Sequence, residues 1–139
     1  MNEKYNLNST RRNPWIYIGV IIFIFIFIGF AVTLIPKAFK MTHEQIGTGL
    51  PALVFIYDPN LVVSISQTEQ MNKARDDLGD QVLFLIAKIN TPEGDQLIAE
   101  HQASAAEILL FDTSGRLIKR QFALKNSSEL IEWITLGGP

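Results

Sequence analysis

The side chains that could do chemistry are few, and their spacing argues against most of what they could do. The chain has no cysteine, which excludes a disulfide framework, a thiolate zinc site and a thiol nucleophile. Its histidines are His43 and His101. Each reads as a solvated imidazole, His101 beside a helix end whose dipole favours partial positive charge, and neither has nearby partners that would complete a metal site. Asp76, Asp77 and Asp80 form an acidic cluster without the alternating spacing and turn glycine of a calcium loop, so they too read as a solvated face. Ser64 has no local histidine and no G-x-S-x-G elbow, which argues against a hydrolase. Asn126-Ser127-Ser128 and Asn8-Ser9-Thr10 match a glycosylation acceptor pattern that matters only in a eukaryotic secretory compartment. The expectation is a protein with no catalytic, cofactor-binding or metal-binding residues.

What must position any other function is an unusual pair of elements. From Trp15 to Ile35 the sequence WIYIGVIIFIFIFIGFAVTLI carries no charge, and a helix of that length matches a hydrocarbon core of about 30 Å. A cleavable signal peptide has a shorter apolar region and a small-residue cleavage site, and a buried core helix has a polar stripe; this run has neither. Pro14 suits a first helical position, Trp15 and Tyr17 suit a headgroup boundary, Pro36 ends the pattern, and Lys37, Phe39 and Lys40 form an interfacial fringe. The expected organisation is a tail at 1–13, a transmembrane helix at 14–36, a stalk at 37–49 whose MTHEQIGTG stretch has linker composition, and a folded domain at 50–139. Lys4, Arg11 and Arg12 before the span outnumber Lys37 and Lys40 after it, which favours a cytoplasmic N-terminus and an extracytoplasmic, periplasmic domain. Gly29 and Thr33 form a small-xxx-small pair that could let another membrane helix approach.

Charge divides along the same line. Residues 1–46 carry five basic and two acidic side chains, whereas 47–139 carry seven basic and twelve acidic ones. An acidic domain excludes nucleic acid as a partner, because binding it takes a basic face. The roughly 90 residues after the stalk suffice for one small core.

Within them Leu50 to Tyr57 is a near-continuous apolar run, which predicts a central strand covered on both faces. Ser66-Gln67-Thr68-Glu69 matches a capping box and predicts a helix with Met71, Ala74 and Leu78 inward, ended by Gly79. A second buried strand is expected at Val82–Ala87. A helix capped by Thr91-Pro92-Glu93 follows, with Leu97 and Ile98 inward. Glu107–Phe111 and Leu117–Leu124 flank the turn Asp112-Thr113-Ser114-Gly115, and Asn126 or Ser127 caps a last helix carrying Leu130, Ile131, Trp133 and Ile134. The fold class is α/β, in the order βαβαββα after the N-terminal transmembrane helix.

On the PALVFIY strand leading into a helix, the EILLFDTSGRLIKR hairpin and the terminal SSELIEWI helix, residues 51–136 resemble the thioredoxin superfamily. The resemblance implies a thioredoxin-like domain, but it fails where that family carries its chemistry. The family's Cys-x-x-Cys maps onto Leu61-Val62-Val63-Ser64, with leucine and serine in place of the two thiols, so thiol–disulfide exchange is not expected. The family's cis-proline maps onto Ala106 or Ala105, where the peptide should be trans. A capping box at Ser66 leaves Leu61, Val62, Val63 and Ile65 in a loop, exposed beside Ala105 and Ala106. Apolar surface of that kind marks a binding site.

The expected function is therefore that of a redox-inactive, single-span accessory or assembly subunit, its partners the bilayer and the other subunits of a membrane complex. Its contacts would be Leu61, Val62, Val63, Ser64, Ala105 and Ala106 on the domain, and Gly29 and Thr33 in the span. The alternative is an auxiliary factor in envelope thiol chemistry, cytochrome maturation or metal handling that holds a client for a cysteine-bearing partner.

Overall fold

A computed structural model describes residues 14–33, 38–40 and 43–137. The tail at 1–13, with Arg11, Arg12 and the Asn8 acceptor, and the expected end of the span at Ile35, Pro36 and Lys37 lie outside the described residues. The chain divides into two units, Met1–Lys37 and Ala38–Pro139.

The first unit is a single helix, α1 (Pro14–Thr33), of 20 residues, long and apolar enough to cross a membrane. Its backbone polar groups are satisfied along the helix itself, which is what a hydrocarbon environment demands. Thr33, the one hydroxyl near its end, donates to the Phe30 carbonyl at 2.7 Å and so carries no unmet polar demand.

The second unit is built on a four-stranded sheet in the order β2-β1-β3-β4. Its elements are β1 (Ala52–Tyr57), α2 (Val62–Leu78), β2 (Leu83–Lys88), α3 (Pro92–His101), β3 (Glu107–Phe111), β4 (Leu117–Phe122) and α4 (Ser127–Thr135). Strand β1 pairs in parallel with β2 and antiparallel with β3, and β4 closes the sheet antiparallel to β3. Alternate residues of a strand point to opposite faces, so the apolar run of β1 feeds two cores. Leu53 and Phe55 join Met71, Ala74, Ile108, Leu110, Leu130 and Ile134 beneath α2 and α4. Ala52, Val54 and Ile56 join Leu85, Ala87, Leu97, Leu109 and Phe111 beneath α3.

The termini of α3 and α4 follow the sequence. Thr91 accepts from the Gly94 amide. Asn126 and Glu129 form a reciprocal capping box, Asn126 accepting from the Glu129 amide while the Glu129 carboxylate accepts from the Asn126 amide. In the β3–β4 turn Gly115 takes φ +84. Asp112 accepts from the Ser114 hydroxyl and amide and from the Arg116 amide and guanidinium, which holds its carboxyl far below the usual carboxylate range.

Two expectations are corrected. The first helix does not open at the Ser66 capping box but four residues earlier, at Val62, with Leu61 as a cap residue that offers no side-chain acceptor. The reason is the turn after β1. Asp58 accepts from the Asn60 amide, Leu61 donates to the Asp58 carbonyl, and Ser64 donates its amide to Leu61, which already winds the chain into a helical turn. The second correction concerns the stalk. Residues 38–40 and 43–49 are not a free linker: the Lys40 carbonyl accepts from Ile86 at the open edge of β2, Phe39 packs on the α2–α4 core under the Arg75 guanidinium at 4.4 Å, and Ile46 packs on the α3 core. Apolar residues at 39 and 46, hidden in a polar composition, supply the burial that a linker lacks.

Candidate partner-docking face

The loop from β1 into α2 is the place where the sequence predicts a binding surface, and the structure sorts its residues into two groups. Helical geometry from Val62 onward turns every third or fourth side chain inward. Ser64 is consequently fully buried, its hydroxyl accepting from the Asp58 amide at 3.2 Å. It is part of the turn's internal scaffold rather than of any contact surface, and its expected exposure is corrected. Val63 is half-buried against the core that contains Ala106. Leu61, Val62 and Ile65 face outward, Val62 being 79% and Ile65 53% exposed. A helix starting at 62 explains both outcomes, since 61, 62 and 65 share its outer side.

Ala106 is also corrected: it is buried, whereas its neighbour Ala105 is half-exposed. Ala106 donates its amide to the Ile56 carbonyl at 2.9 Å and accepts from the Ala123 amide at 2.8 Å, stitching the end of β1 to the segment after β4. Its φ is +63, a left-handed conformation that costs an alanine about 1–2 kcal/mol. What holds it there is the loop's far side. The buried Glu107 carboxylate accepts from the Ser104 amide at 2.9 Å and from two nitrogens of Arg120, at 2.5 and 2.8 Å. The same guanidinium donates to the His101 and Gln102 carbonyls and so caps α3. The Arg120 hydrogen bonds hold the Glu107 carboxyl below its usual range.

The end of β4 and the segment after it supply residues that sequence reasoning missed. Phe122 and Leu124 are 58% and 56% exposed, and Gln67 of α2, fully buried, brackets this segment by donating to the Lys125 carbonyl and accepting from the Lys125 amide. The available signal was the alternation within β4, where outward residues include apolar Ile118 and Phe122. Reading Leu117–Leu124 as one strand concealed which side would be covered. Gly29 and Thr33 lie in the other unit, and a Cβ on Gly29 would meet nothing within 4 Å.

The face can bury apolar surface and do little else. Leu61, Val62, Val63 and Ile65 carry no ionisable group, the Ser64 hydroxyl is taken up by the Asp58 amide, and among the described residues no group of three or more metal-ligating side chains comes together.

No protein-family model matches the sequence, nor does any curated protein. Solved structures do match. An uncharacterised thioredoxin-like protein from Clostridium perfringens superimposes with a TM-score of 0.62 over 69% of this chain and 77% of its own, at 9% identity. Thioredoxin-2 of the malaria parasite gives 0.60 over 74% and 98%, at 13% identity. The fold is thioredoxin-like. Chloroplastic thioredoxin z, at 12% identity and a TM-score of 0.56, covers 75% of the chain and 96% of its own. Within the thioredoxin-like domain, the β1–α2 junction that the sequence resemblance aligns with a dithiol carries leucine, two valines and a buried serine, consistent with redox inactivity.

Proposed function

We propose that this chain is a redox-inactive thioredoxin-like accessory or assembly subunit of a membrane complex, held to the bilayer by α1 and docking a partner subunit through the outer side of the β1–α2 junction. One observation carries the reading: Leu61, Val62 and Ile65 stand exposed together where the resemblance places the superfamily's reactive thiols, and a contiguous apolar patch of that kind marks an interaction site. Phe122 at the end of β4 and Leu124 just after it extend the apolar character. The basic residues ahead of α1 favour a cytoplasmic N-terminus and a domain on the other side of the membrane.

The test is co-purification in mild detergent from the cells that make the protein. Val62→Asp and Ile65→Asp alter exposed positions and should leave the fold intact, while a carboxylate buried in an apolar contact is left desolvated and unpaired. The expected result is loss of the co-purifying subunits with retention of circular dichroism and melting behaviour. Unchanged co-purification in both variants would remove this face as the docking surface. Val63→Asp is unsuitable, since Val63 packs on the core.

A further inference from the structure

The turn that leads into β1, His43–Gln45 and the residues to Gly49, packs against α3 and the β3–β4 turn. Ile46 is seated on the α3 core. Gly47 runs against the Ser114 and Gly115 backbone so closely that a Cβ there would lie 3.0 Å from the Ser114 carbonyl oxygen, and Gly49 donates to the Thr113 carbonyl at 3.1 Å. His43 sits at the start of this turn, on the wall of a cleft of about 480 Å³ that is also lined by Glu44, Glu93, Glu100 and His101. Its Nε2 is shielded from solvent and has no hydrogen-bond partner among the described residues. A neutral ring nitrogen tolerates that position, whereas a positive charge there loses its hydration.

We propose that the 43–49 turn is a proton-operated latch: with His43 neutral it holds against α3 and the β3–β4 turn, and protonation of His43 at Nε2 releases it. The charged groups that face His43 are the Glu93 and Glu100 carboxylates of α3, which together with the Glu93 main chain favour the proton, and burial outweighs them, so the ring's affinity for a proton lies below its ordinary value. Glu44, on the same turn, and His101, on α3, complete the ionisable lining. A group whose folded-state pKa is lowered stabilises the docked turn above its free value of 6.5. That stabilisation fades as the pH drops from 6.5 to the docked value, and the opening equilibrium rises by up to tenfold per pH unit across that window.

The full chain in detergent micelles, with labelled histidine rings and isoleucine methyl groups, allows both events to be followed by NMR from about pH 7.5 to 5. The expected result is a His43 midpoint below 6.5 and an Ile46 methyl resonance that moves toward its unpacked position with the same midpoint. His43→Phe and His43→Gln cannot take up the proton, and at least one should keep Ile46 packed throughout the range. A His43 midpoint at or above 6.5, an Ile46 resonance that ignores the titration, one that still follows pH in a packed variant, or loss of packing at pH 7.5 in both variants would each overturn the latch.

Discussion

At the scale of residues, the loop from α3 into β3 shows how hydrogen bonds hold a backbone conformation that alanine disfavours. Ala106 is held left-handed by two main-chain hydrogen bonds and by the Glu107–Arg120 pair behind it. Ala106→Pro demands φ near −65 and removes the amide that the Ile56 carbonyl accepts from. It should destabilise by more than about 1 kcal/mol in a denaturation experiment, beyond what proline gains by restricting the unfolded chain. Glu107→Ala leaves the Ser104 amide and a half-exposed guanidinium without their acceptor and should cost about 1–3 kcal/mol. Because the Glu107 carboxyl is held below its free value of 4.5, its contribution is complete above that pH and is lost as the pH falls through the folded value. The parent should therefore lose stability in acid more steeply than Glu107→Ala, by thermal melts at several pH values.

At the scale of elements, the start of α2 decides what is displayed. The Leu61-Val62-Val63-Ser64 stretch was readable as apolar from the sequence, yet which of its members face out depended on a helix beginning at 62, and the competing capping signal at Ser66 pointed four residues too late. Local turn bonds from Asp58 prevailed over a side-chain cap. Gly94 was not readable at all: a Cβ there would overlap the Lys88 carbonyl, because α3 starts directly against the end of β2. Gly94→Ala should accordingly be among the most destabilising single changes in α3, although alanine favours helices, and a drop in melting temperature against an Ala99→Gly control would show it. By contrast the order of the elements along the chain, the cap at Thr91, the cap expected at Asn126 or Ser127 and found at Asn126, and the Gly115 turn followed from patterning, since each depends on neighbours in sequence. The register of α2 has its own test. Leu61 and Ser64 are joined by an amide-to-carbonyl bond of 3.0 Å across one turn, so cysteines placed at both positions fall within the Cα separation of about 7 Å that a disulfide allows. Mild oxidation of the double variant should give an intramolecular bond, detectable by mass.

At the scale of the whole molecule, the proposed function assigns location to the uncharged helix and contact to the acidic thioredoxin-like unit lacking thiols. The location half predicts that Thr48→Cys reacts with an impermeant maleimide in cells whose outer membrane is permeabilised and that Ser9→Cys does not, the outcome expected if the basic flank is cytoplasmic. The contact half is tested most directly by replacing Val62 in the full chain with a photo-crosslinking amino acid and irradiating intact cells, with the exposed position Asp77 on the same helix as the control. Attachment of a discrete membrane-complex subunit at position 62 and none at 77 is the expected result. Absence of an adduct at 62, or equal adducts at both positions, would contradict a docking role for this face.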